Sequence, residues 1–131
     1  MPGLLTLLSS LESSGLPKAV CTSSRREFAD KTLKVAGVHD RFEFVLTSED
    51  VQRGKPAPDI YLAAANHWGI EPEEMLVLED SPIGCQAAVA AGAFAVAVPA
   101  PHASHDQFPD VKHIASSLAD PFIHDALFGQ P

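Results

Sequence analysis

The chain has 131 residues, 46% of them apolar and 20% charged, with a formal net charge of −8. That length supports one domain with a real core. The acidic balance argues against nucleic acid or an anionic membrane as partner, because neither is drawn to a negative surface, and leaves room for a small anion in a locally basic pocket. The first twenty residues lack a charged stretch ahead of an apolar core, and no apolar run approaches a membrane span, so the expected address is the cytoplasm.

In chain order, Leu4, Leu5, Leu7, Leu8 and Leu11 recur at helical spacing over residues 3–14, and Gly15 ends the run. Ala19–Thr22 reads as a short apolar strand that closes in hydroxyls. Residues 25–36 form an amphipathic pattern with Gly37 at its end. A second strand centres on Phe44–Leu46. Pro58 opens a helix that runs to Trp68, with Gly69 after it. Residues 75–80 are a third strand, 82–92 a small-residue helix and 93–99 a fourth strand. Beyond Pro99 the chain is rich in loop, with a short strand near His113–Ala115 and a weakly patterned helix within Pro121–Phe128. The division is thus a single domain over 1–131 with a loop-rich part at 99–131.

Strands without polar alternation, each followed by a helix, indicate parallel strands buried on both faces. The fold class is α/β, a three-layer, doubly wound Rossmann-like sheet whose active crevice lies at the carboxyl ends of the strands. Thr22, Ser23 and Ser24 follow the first strand, Lys55 the second, and Glu79 and Asp80 the third. Each has a plain reading alone: a helix N-cap, a solvated lysine between loop residues Gly54 and Pro56, and acids that favour a helix dipole. Together, at the ends of successive strands, they suit a phosphate group beside a divalent cation. Two adjacent carboxylates repel each other unless a cation neutralises them. Without one, the pair is expected to face solvent or to hold a proton.

The stretches AVCTSS, GKPAPDIY and VLEDSPIGCQAA resemble the second, third and fourth motifs of the haloacid dehalogenase superfamily, on the side of its phosphatases and phosphomutases such as phosphoglycolate phosphatase and β-phosphoglucomutase. The resemblance runs from about Pro2 to about Leu118. It implies that Thr22 hydrogen-bonds a transferring phosphoryl group, that Lys55 stabilises its charge, and that Asp80 with Glu79 holds Mg²⁺. Ser23 and Ser24 would line the phosphate pocket less directly, and the substrate would be a small phosphorylated molecule.

The same resemblance exposes a gap. The family's first motif, Asp-x-Asp at the end of a central strand, supplies the nucleophile and the general acid, and the sequence contains no Asp-x-Asp. Glu49-Asp50 and Asp106 are poor substitutes, because no apolar strand precedes them. The family's cap domain, which selects the substrate, also has no counterpart. The expectation is therefore a C-terminal core half, inactive alone and weak in Mg²⁺ for lack of the other Asp ligands, with a sheet lacking its usual first central strand. Unpaired inner edges invite pairing. The two flanking strands could close on each other, a second copy or a separate N-terminal segment could fill the gap, or the chain is part of a longer protein, which fits the otherwise intact pattern best. The alternative is a non-catalytic remnant or interaction module that needs a partner chain.

Other features are read plainly. His102-x-x-His105-Asp106 has metal-like spacing on a Pro-rich loop, better read as surface histidines. Cys21 and Cys85 read as reduced, near the core. Tyr61 and Trp68 read as packing residues. Of Arg25, Arg26 and Arg53, Arg53 is the best candidate for a substrate phosphate or carboxylate. A receiver-like domain places its paired acids first and its lysine last, unlike this order. A true dehalogenase needs no Mg²⁺ pair, and no G-x-G-x-x-G supports dinucleotide binding.

Overall fold

The computed structural model describes residues 3–100, 104–108 and 110–129. Its helices are α1 (Leu4–Ser13), α2 (Arg26–Val35), α3 (Asp59–Trp68), α4 (Pro82–Ala91) and α5 (Pro121–Phe128), and its strands β1 (Ala19–Cys21), β2 (Phe44–Leu46), β3 (Leu76–Glu79), β4 (Phe94–Ala97) and β5 (His113–Ile114). These match the expected elements closely. Gly69 and Gly92 end α3 and α4 at positive φ, where a Cβ would be strained.

Strand parity sets the layering. Side chains alternate across a sheet, so Val77 packs with Tyr61, Ala64 and Ala65 of α3 and Ala87, Ala88 and Ala91 of α4. Leu76 and Leu78 turn to the opposite face, where Leu7 and Leu11 of α1, Val96 of β4 and Ile123 of α5 form a second core. Alanines dominate the first layer, which lets α3 and α4 lie close to the sheet. The result is three layers: α3 and α4, strands, then α1 and α5.

The strands form two parallel ladders among the described residues, β1 with β2 and β3 with β4 and β5. The gap between β1 and β3 falls where the expected sheet lacks its first central strand, and the two strands have not closed on each other. Backbone bonding explains the open edges. In β3, the carbonyls of Met75 and Glu79 accept from Phe94 and Val98, so odd positions serve β4 and the amides of Leu76 and Leu78 point the other way. In β1, the Thr22 N–H donates to Leu46, so even positions serve β2 and the groups of Ala19 and Cys21 point away from it.

At the far end, Asp120 caps α5. Its carboxylate accepts the N–H groups of Phe122 at 2.8 Å and Ser116 at 3.1 Å, and His113 lies at 3.3 Å. Those two backbone donors, then His113, hold its carboxyl below the ordinary value. A depressed carboxyl contributes stability that is present above its unfolded value and lost as pH falls through the folded one. Asp120→Ala should therefore lower urea-unfolding stability by about 1 kcal/mol at about pH 7, with the difference closing as pH falls below the ordinary aspartate range. A pH-independent difference would contradict this.

Candidate functional site

The segment between β2 and α3 is anchored before it reaches Lys55. Thr47 is fully buried, and its hydroxyl and N–H both bond Asp50. Arg26 of α2 holds Asp50 at 2.7 Å and the Val45 carbonyl at 2.8 Å. Although burial opposes it, the Thr47 hydrogen bonds and then the Arg26 charge keep the Asp50 carboxyl below its ordinary value. From this platform Lys55 turns inward until its side chain is only 8% exposed.

The Lys55 ammonium donates to the Cys21 carbonyl at 3.1 Å and forms an ion pair with Glu79. It thus joins the carboxyl ends of β1 and β3. Glu79 is buried because it shares strand parity with Val77 and faces α3 and α4. There the Tyr61 hydroxyl donates to the same carboxylate oxygen, Oε2, that pairs with Lys55. Gly84, in the first turn of α4, backs the carboxylate so closely that a Cβ on Gly84 would overlap it. Burial, followed by the Glu79 charge, pushes the Tyr61 phenol well above its ordinary range, so it remains a donor.

Below this pair opens a cleft of about 420 Å³ between the two ladders. Thr22, Ser23, Lys55, Asp80 and Ser81 supply its polar wall, and Val20, Leu78 and Ile83 its apolar one. A smaller cavity of about 110 Å³ adjoins it beside Thr22, Ser48 and Gly54. The Thr22 Oγ1 accepts the Ser24 N–H at 3.1 Å, which leaves its O–H to donate. Burial raises the Cys21 thiol to about 12 and the Cys85 thiol to about 11, so neither is a thiolate nucleophile.

Asp80 is exposed at the cleft wall, beyond the parity that buries Glu79. A hard cation such as Mg²⁺ takes one or two carboxylates and completes its shell with water and phosphate oxygens. Asp80 fits that role. Glu79, as oriented, is already engaged by Lys55 and Tyr61. Among the described residues no group of three or more His, Cys, Asp or Glu side chains could hold a metal ion.

Thr22, Ser23, Lys55, Glu79 and Asp80 therefore meet at one cleft. Ser24 stands behind it, its carbonyl taken by the Ser48 N–H at 3.1 Å. Arg53 points elsewhere: its exposed guanidinium pairs with Asp59 at 2.8 Å. Of the two states expected for the acids without a cation, exposure or a held proton, Asp80 shows exposure, whereas Glu79 is 8% exposed and meets a lysine partner. Nor do the hydroxyls cap α2, whose N-cap is Arg25 without a side-chain bond. Tyr61, read as packing, is buried but also bonds the site; its place beside Ile60 and one turn before Ala64 and Ala65 on a buried helix face, opposite a strand-end acid, was the available signal. His105 is exposed, and His102 lies outside the described residues, as do Met1 and Pro2.

Fold and cleft define a doubly wound α/β domain whose polar groups converge at the carboxyl ends of its strands. The profile of the haloacid dehalogenase-like hydrolases matches residues 1–92, and the chain belongs to that family. Hexitol phosphatase A of Escherichia coli is 44% identical over 101 residues, covering 77% of this chain and 46% of that protein. The putative phosphatase YhcW of Bacillus subtilis is 36% identical over 119 residues, covering 91% and 54%. The crystal structure of a putative beta-phosphoglucomutase from Thermotoga maritima shares the fold, with a TM-score of 0.88 over 97% of this chain and 60% of that one at 23% identity. The chain spans about half the length of the curated relatives it matches.

Gly84→Ala would place a methyl group against a carboxylate pinned by two donors. Alanine favours a helix interior by about 0.5–1 kcal/mol over glycine, yet here the overlap should prevail, with a net loss of about 1–3 kcal/mol in denaturant unfolding. A stabilised variant would show that Glu79 moves aside freely.

Proposed function

We propose that this chain forms the phosphate- and cation-handling part of a phosphatase-type hydrolase that acts on a small phosphate ester. The observation that carries the reading is the direction of Lys55. An ammonium has three N–H groups; the Cys21 carbonyl and Glu79 take two, and the third remains for phosphate oxygens beside Thr22 and Ser23 in the cleft. As a desolvated point charge it would stabilise a developing phosphoryl charge more strongly than a solvated lysine could. Asp80 would hold Mg²⁺ together with water, and the ion would neutralise phosphate oxygens there. In this reading Glu79 serves mainly as the counterion that fixes Lys55. The phosphatase names of the sequence relatives are consistent with the reading.

The facing edges of β1 and β3 support a second element. An extended, mostly apolar strand entering between them would satisfy the outward amides of Ala19, Cys21, Leu76 and Leu78. It would also bring its own carboxyl end to Lys55 and Asp80, where an aspartate could attack phosphorus in line. The attacking group is assigned to that strand, because the described cleft offers only Asp80 and the engaged Glu79 as carboxylates.

The test is hydrolysis of a generic phosphate ester with Mg²⁺, measured with and without an added segment carrying an apolar strand and Asp-x-Asp. The chain alone should give no turnover. With the segment, Lys55→Ala and Asp80→Asn should each lower the rate by about 10²-fold or more. Turnover by the chain alone that Asp80→Asn abolishes would overturn this assignment. Phosphate binding without turnover in any combination would favour a binding module instead.

A further inference from the structure

Tyr61 makes two contacts with the charged pair. Its hydroxyl donates to Glu79 Oε2, and its ring lies beneath the Lys55 ammonium, 5.2 Å from Nζ to the ring centre. It is 4% exposed, so neither contact is shared with bulk water. α3 carries Tyr61 while the loop just before that helix carries Lys55, and the two reach the same acid from one side. A buried carboxylate with one donor is poorly satisfied, and a hydrogen bond to a charged group contributes more than a neutral one. An aromatic face favours a desolvated cation.

We propose that Tyr61 is a positioning residue of the cleft: its hydroxyl holds the Glu79 carboxylate on Lys55 and so fixes where the ammonium points. Tyr61 touches neither the open cleft nor the place assigned to phosphate; it acts through Glu79. The proposal rests on the reading of Lys55 as the phosphate-binding cation, but the geometry it asserts is measurable without phosphate.

The experiment is acetylation of the folded chain by a small amine reagent, with each lysine followed by peptide mass spectrometry. Lys18 is the internal control, because its side chain is similarly covered, 10% exposed, and pairs with Glu12 away from the cleft. In Tyr61→Phe, Lys55 should react about tenfold faster relative to Lys18, the factor that accompanies loss of a hydrogen bond to a charged group. An unchanged Lys55 rate would overturn the proposal, and so would an equal rise at both lysines, which would mean general loosening. Tyr61 is the chain's one tyrosine, so a ring-carbon label at its hydroxyl-bearing position gives a single NMR signal in the unmutated fold. That signal should move in Glu79→Gln; if it stays in place, Tyr61 does not donate to Glu79. Protection of Lys55 by added inorganic phosphate is scored separately. Its absence would count against the functional reading alone.

Discussion

The buried ion pair between Lys55 and Glu79 is the constraint around which the rest of the molecule is arranged. Each side chain is 8% exposed, so neither charge is stabilised by bulk water. A buried charge is tolerated only when it is paired and its remaining hydrogen-bonding capacity is met. Here the Cys21 carbonyl takes a second N–H of the ammonium, whose third N–H is left to the cleft, and the Tyr61 hydroxyl gives the carboxylate a second donor. The pair also links two strand ladders that make no backbone pairing with each other among the described residues. The loop from Thr47 to Asp50 and its Arg26 tie are the scaffold that lets a flexible lysine take one direction.

Two neighbouring acids thus acquire different chemistry from one step of strand register. Glu79 follows Val77 onto the helix-covered face and meets a lysine, a tyrosine and a glycine. Asp80 lies past the end of the ladder and faces the cleft. A cation placed there would meet one available carboxylate, while the neighbouring charge is spent on orienting Lys55. Gly84 belongs to this arrangement because no larger residue leaves room for the Glu79 carboxylate.

Much of this was legible in the sequence. The strand-to-helix alternation, the glycine stops and the apolar runs located the five α-helices and five strands of the described residues, because local patterning and tertiary burial agree in this fold. The order of hydroxyl, lysine and acids was enough to gather Thr22, Ser23, Lys55, Glu79 and Asp80 at one edge. What escaped was the partnership of each charge. Arg53 looked poised because it precedes the Gly-Lys-Pro element, yet Asp59 six residues on captures it. Tyr61 looked like packing because a helix pattern reports burial and not what the hydroxyl meets across the interface. The gap between the ladders was legible from the missing Asp-x-Asp strand, but whether its two edges close on each other is a long-range property no local window contains.

A double-mutant cycle on Lys55 and Glu79, read by urea unfolding, tests the central claim most directly. Lys55→Met or Glu79→Gln alone strands one buried charge and should cost about 3–5 kcal/mol, whereas the double variant should cost clearly less than the sum, because no charge is left behind. Additive losses, or single variants as stable as the parent chain, would show that the two groups are not the buried pair on which this cleft depends.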